Sequence, residues 1–277
     1  MMPDHAKAAR ELLLFYGEAG VDMALDEVAH DYLTPVAPGA KTLPPSPTLP
    51  AKGGGKRLET AEGSSRIAAA PLAPDAAVMA AREAARSAAT LDALRAILDR
   101  FEGCALKATA TQLVFADGNP KARIMFVGEA PGYEEDKQGL PFVGRSGQLL
   151  DRMLAAIGLD RTKVYIANIV PWRPPGNRTP TPQEAAICLP FLLRQIALCD
   201  PDVLVCLGGP SAQTLLNLKE GILKLRGRWF TFNTGTRDIR AMPTLHPAYL
   251  LRSPLAKRHA WRDFLAIKKA LADSPRA

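Results

Sequence analysis

The chain has 277 residues, enough to bury a full core in one large domain or two small ones. With 47% hydrophobic and 23% charged residues most of it reads as globular, and a formal charge of +7 with a pI near 9.3 favours an acidic partner such as nucleic acid. No apolar run spans a bilayer and the Met-Met-Pro-Asp-His start lacks a signal-peptide pattern, so a membrane partner is excluded and a cytoplasmic location is expected.

In chain order, residues 6–17 favour a helix that Gly17 would stop, and a second apolar piece reaches about Leu33, so 1–33 reads as an N-terminal helical segment. From Thr34 to Pro74 the composition turns to Pro, Gly, Ser, Thr and Lys. That stretch holds too little apolar surface to offset ordering and reads as a flexible linker, 34–74. Within it, Gly53-Gly54-Gly55-Lys56-Arg57 superficially resembles a phosphate loop. Pro50 stands where that loop needs Gly and Arg57 where it needs Ser or Thr, so the motif is rejected.

Residues 75–277 form the expected principal domain. Residues 75–100 are alanine-rich and helical, in two pieces with Thr90 as the cap between them. After residue 101 strands and helices alternate. Strands are predicted at 124–127, 164–170, 203–207, 229–232 and 239–245. Between them come a helix capped by Ser146 and ended by Gly158, a helix with a Thr181–Glu184 capping box that runs through Pro190 towards Cys199, a helix after Gly208, and a closing helix over 256–272. This alternation implies a mainly parallel sheet covered on both faces, whose ligands bind beyond the carboxyl ends of the strands.

Three suspicious stretches fall at that edge. After the first strand, Gly128-Glu129-Ala130-Pro131-Gly132 breaks all regular structure. Its glycines permit close backbone approach to a ligand, Pro131 stiffens the turn, and the acids Glu134, Glu135, Asp136 and the ring of Phe142 follow. A rigid loop with carboxylates and one ring suits a flat polar ligand. After the second comes Pro171 to Arg178, preceded by Asn168 in a doubly buried strand. An unpaired carboxamide there costs about 1–3 kcal/mol, and its donor and acceptor match the edge of a pyrimidine. After the last, His246 precedes Pro247 and a loop, Tyr249-Leu250-Leu251-Arg252, whose exposed apolar and basic residues suit insertion into a distorted duplex.

Several chemistries are excluded. Gly144-Arg145-Ser146-Gly147 is not a nucleophile elbow, and the four histidines (His5, His30, His246, His259) form no metal-binding pair. Cys104, Cys188, Cys199 and Cys206 contain no C-x-x-C pair, and disulfides are not expected.

Five ordered blocks carry a specific resemblance: Gly128–Asp136, Gly139–Gly144, Tyr165–Val170, Arg173–Arg178 and His246–Arg252. From about Phe101 to Ala272 the chain resembles the family 4 uracil-DNA glycosylases. The resemblance implies a three-layer α/β/α sandwich that flips deoxyuridine from DNA and hydrolyses its N-glycosidic bond, releasing free uracil. By position, Phe142 would stack on the flipped base and Asn168 would read its edge. Gly128, Glu129, Ala130 and Pro131 would line the base pocket, with backbone groups around Glu129 and Ala130 holding O2 and helping to place water, and His246 would stabilise charge on the departing uracil. Asn177, Arg178 and Tyr249–Arg252 would contact DNA, the last four as an intercalating loop. A monomer beside the nucleoid is expected. Where the family 1 enzymes carry an Asp this chain has Ala130, so the water-activating residue is expected to be Glu129 or Glu135. No Lys/Arg-rich insert precedes Thr181, so turnover is expected rather than a covalent trap. The family also carries four cysteines that hold a 4Fe–4S cluster; here Phe101 and Trp172 occupy two of those positions and only Cys104 and Cys188 remain, so no cofactor is expected. A protein that binds uracil or abasic DNA without cleaving it, and a nucleoside hydrolase, are the alternative readings.

Overall fold

A computed structural model describes residues 74–273. The segments predicted at 1–33 and 34–74 lie outside the described residues, except Pro74, which begins a helix rather than ending the linker. The first elements are α1 (Pro74–Ser87) and α2 (Leu91–Arg100), with the Thr90 hydroxyl accepting from the Ala93 amide at 3.1 Å as the predicted cap. Ala77, Ala81 and Ala85 recur every fourth position on α1 and are buried, which gives that helix a flat apolar stripe.

Six strands follow: β1 (Asp117–Gly118), β2 (Ile124–Gly128), β3 (Tyr165–Asn168), β4 (Val203–Leu207), β5 (Phe230–Asn233) and β6 (Asp238–Thr244). They form one sheet in the order β1-β3-β2-β4-β6-β5. The inner four strands are parallel, and β1 and β5 close the edges in antiparallel pairing. The helices are α3 (Tyr133–Gln138), α4 (Arg145–Ala156), α5 (Pro182–Cys199), α6 (Gly209–Leu216), α7 (Ile222–Leu225), α8 (Pro247–Arg252) and α9 (Lys257–Ala272). None of the helices among the described residues is long and apolar enough to cross a membrane.

Alternation along β2 divides the core as a doubly covered sheet requires. Met125 and Val127 face one cluster with Leu98, Trp172, Phe191 and Ile196 from α2, the loop after β3, and α5. Ile124 and Phe126 face another with Leu150 and Leu154 of α4 and Phe264 and Ile267 of α9. The expected three-layer α/β/α sandwich is the observed fold. Register brings Gly128 beside Asn168 and Leu207 beside Thr244, so the four parallel strands end along one edge.

Local details differ from expectation. The strand predicted over 164–170 is confined to Tyr165–Asn168. Ser146 lies inside α4 rather than capping it, because Gly144 is the N-cap and the Glu135 carboxylate accepts from the Val143 and Gly144 amides at 3.0 and 2.9 Å. The predicted loop 249–252 is the end of α8, with His246 as its N-cap.

Phe142 occupies the left-handed region at φ 56°, which costs a bulky residue about 1–2 kcal/mol. Two features hold it there. Arg161, paired with Asp117 at 2.6 Å and Asp151 at 2.8 Å, donates to the carbonyls of Pro141 and Phe142. On the other side α4 approaches so closely that a Cβ on Gly147 would lie 1.6 Å from the Phe142 carbonyl oxygen. Gly147→Ala therefore forces the Phe142 backbone to move. We expect a loss of about 1–3 kcal/mol, read as a lower midpoint in thermal unfolding.

Candidate functional site

A cavity of about 620 Å³ opens at the carboxyl edge of the parallel strands. Its walls come from the loops after β2, β3 and β6 and from the Gly208-Gly209-Pro210 turn after β4, so the three stretches singled out by sequence do converge. Pro131, Phe142, Asn168 and His246 all line it.

The close approach among these groups depends on Gly128. A Cβ at that residue would lie 2.4 Å from Asn168 Oδ1 and 2.6 Å from Phe142 Cζ, so the carboxamide and the ring meet over bare backbone. The imidazole of His246 sits with its ring centre 5.5 Å from that of Phe142, inclined by 32°. Asn168 is 6% exposed, and its Oδ1 is buried with no hydrogen-bond partner among the described residues. An orphaned acceptor of this kind costs about 1–3 kcal/mol and is satisfied only when a donor enters the cavity.

His246 is half-buried, and its Nδ1 accepts from the Ala248 amide at 3.1 Å. Nε2 therefore carries the proton. Desolvation lowers the pKa to about 4, the positive charge of Arg252 acts in the same direction, and Glu135 opposes both. At neutral pH the ring is an uncharged donor.

The two glutamates differ in freedom. Both oxygens of Glu135 are occupied: Oε1 accepts from Val143 and Gly144, and Oε2 from Gly132 at 3.1 Å. Three backbone amides make it a brace that ties α3 to the Phe142 turn. Glu129 accepts from the Thr179 hydroxyl, but its Oε1 is buried without a partner among the described residues. Desolvation raises its pKa above the ordinary carboxylate value, opposed by the Thr179 bond.

The rim holds the remaining sequence candidates. Gly128 is not itself on the cavity surface but lies against Asn168 and Phe142, and Ala130 lies on the wall next to Glu129. Arg178 is exposed and held bidentate by Glu184 at 2.8 and 2.6 Å, while Asn177 accepts from Arg173 at 2.7 Å. Tyr249 and Arg252 line the mouth, and Leu251 is 38% exposed on the outer face of α8. Leu250 departs from expectation: it is 1% exposed and packs with Leu245 and Ala260. A helical turn cannot present 250 and 251 to the same side, so Leu250 is an anchor of α8 and not a group that enters DNA.

Sequence reading missed Thr179, Arg161 and Tyr133. Thr179 follows Arg178 in a proline-rich turn without any motif, and Arg161 acts through backbone carbonyls that no residue pattern encodes. Tyr133 is 57% exposed at the start of α3 with the Arg173 guanidinium 5.3 Å from its ring centre, a pairing detectable only in three dimensions.

Residues 115–265 match the sequence model of the Uracil DNA glycosylase superfamily. The chain is 48% identical over 151 residues to the type-4 uracil-DNA glycosylase of Thermotoga maritima, covering 54% of this chain and 77% of that protein. It is 40% identical over 190 residues to the enzyme of the same name from Saccharolobus solfataricus (67% and 88% covered), and 42% identical over 168 residues to that of Archaeoglobus fulgidus (59% and 84%). The fold, the ordered blocks and these matches agree: the chain belongs to the uracil-DNA glycosylase superfamily.

Proposed function

We propose that the chain is a uracil-DNA glycosylase of DNA repair, hydrolysing the N-glycosidic bond of a deoxyuridine extruded from DNA to leave an abasic site and free uracil. The observation that supports it most is the unpartnered Asn168 Oδ1 against the Phe142 ring, an acceptor and a stacking face set for one flat base.

Extruding a base costs a few kcal/mol. Stacking on an aromatic ring returns about 1–3 kcal/mol, and pairing of Asn168 with N3–H and O4 of uracil offsets the rest. Cytosine presents an amino group and an unprotonated N3 at that edge, which leaves like groups facing each other and the Asn168 acceptor unsatisfied. As the bond between N1 and C1′ breaks, the sugar becomes oxocarbenium-like and the uracil an anion. Neutral His246 donates through Nε2 where that charge develops, a contribution typically worth about 2.7–4 kcal/mol. Glu129, held by Thr179 through one oxygen, uses the other to take a proton from the water that attacks C1′. Glu135 serves as the brace of the loop. Asn177, Arg178, Tyr249 and Arg252 line the cavity and Leu251 is exposed beside them, which supports their contacting the DNA strands, Arg252 through phosphate. Every group comes from one chain, so a monomer suffices, and the location follows its substrate: the cytoplasm, beside the nucleoid.

Incubation with a uracil-containing oligonucleotide, followed by alkaline cleavage of abasic sites, separates this reading from a binding-only protein; retention of the oligonucleotide without strand breaks would favour the binder. Asn168→Ala is expected to lower kcat/KM about 10–100-fold on uracil DNA, and near-normal turnover would remove Asn168 from base reading. The acidic limb of kcat/KM belongs to Glu129. Activity should fall as pH drops through a value above the ordinary carboxylate pKa of about 4.3, because protonation removes the base. His246, with a pKa lowered to about 4, reaches half protonation only at about that pH and is uncharged at neutral pH. Glu129→Gln should lower kcat about 10²-fold or more and flatten the limb; an unchanged limb in that variant assigns the titration elsewhere.

A further inference from the structure

Cys104 and Cys188 lie together in the cluster on the α5 face of the sheet. Their sulfurs are 3.8 Å apart and both residues are at most 2% exposed. They match two of the positions at which family 4 enzymes hold a 4Fe–4S cluster. The residues present do not fit that group, which takes four thiolates. Among the described residues no group of three or more Cys, His, Asp or Glu side chains is placed to hold a metal ion.

The other two cysteines are not substitutes. Cys199 is eleven residues beyond Cys188 on the same helix, about 16 Å along its axis at 1.5 Å per residue. Cys206 is fully buried within β4, where leaving the strand would break the centre of the sheet.

The space is instead filled by rings. The Phe101 ring folds back over Gly103, where a Cβ would lie 2.4 Å from its Cζ, and meets Phe191 edge-on with ring centres 5.0 Å apart. Trp172 is 2% exposed in the same apolar cluster as Cys104, Cys188 and Phe191. Indole and phenyl groups of this size bury roughly 150–250 Å² each, enough for dispersion and burial to close a region without metal.

We infer that this chain has exchanged the cluster for an aromatic plug: Phe101 and Trp172 pack where two ligands would stand, and Cys104 and Cys188 remain as a thiol pair in the core. This goes beyond the glycosylase reading and is measured apart from it. Iron and acid-labile sulfide are determined on the full-length protein purified without oxygen, with the absorbance near 400 nm as a second readout. The expected result is iron far below one atom per chain and no visible band. About four irons per chain with matching sulfide would overturn the plug, whatever the excision assay shows. A second measurement requires no iron: Phe101→Ala is expected to lower the thermal midpoint by several degrees while the protein remains iron-free. An unchanged midpoint would mean that the ring fills nothing, and would equally overturn the proposal.

Discussion

The absence of a side chain at residue 128 is the constraint on which the site turns. Phe142 Cζ and Asn168 Oδ1 both fall within the volume that a Cβ there would need, so any larger residue separates the ring from the carboxamide. Parallel register makes the contact possible by setting Gly128 opposite Asn168 at the ends of adjacent strands. Everything further out supports that meeting. Arg161 grips the carbonyls on both sides of the turn, and Gly147 lets α4 press against it, which together hold Phe142 in a backbone conformation that a phenylalanine would otherwise leave. The strain lies on the residue whose ring must be presented, and its cost is spread over an ion-pair network remote from the cavity.

Environment, more than residue type, distributes the chemistry. Glu129 stands in the loop after β2 and Glu135 in the first turn of α3, which follows that loop. Three amide donors consume the lone pairs of Glu135 and leave it with a geometric task, whereas Glu129 keeps one oxygen buried and unpaired, where desolvation disfavours its charge. The same low-polarity surroundings keep His246 neutral. The uncharged imidazole, its Nδ1 engaged by the Ala248 amide, keeps a proton on Nε2 at the cavity wall. Charged groups of both signs line the cavity, Glu129 and Glu135 from the β2 side and Arg178 and Arg252 from the loop after β3 and from α8.

Much of this was legible in the sequence because it resides in local pattern. Gly and Pro mark the loop after β2, short apolar runs mark β2 and β4, and the Thr181–Glu184 box marks the start of α5. The convergence of three loops on one edge followed from strand–helix alternation alone. What was not legible depends on contacts between distant residues. Arg161 acts on the Phe142 turn across nineteen positions through main-chain carbonyls, and Thr179 reaches Glu129 across fifty. The fate of Leu250 shows a different limit. Tyr249-Leu250-Leu251-Arg252 reads as an apolar, basic loop, but wound into a helix it divides its two leucines between core and solvent. Composition gives the same answer for both residues; only the helical period separates them.

Holding the N-terminal part of the domain to the sheet is a mechanical task, and the structure accomplishes it with ordinary packing. The alanine stripe of α1 lets that helix lie along α5, and Arg194 of α5 donates twice to the Ala88 carbonyl, at 2.9 and 2.7 Å, just beyond the end of α1. A helix C-terminus is the end at which a cation is favoured, so this bond also satisfies the dipole. The Phe101–Phe191 contact then ties the residue following α2 to the same helix. With α1, the end of α2 and the loop after β3 all packed into one cluster with α5, side-chain contacts close this corner of the domain.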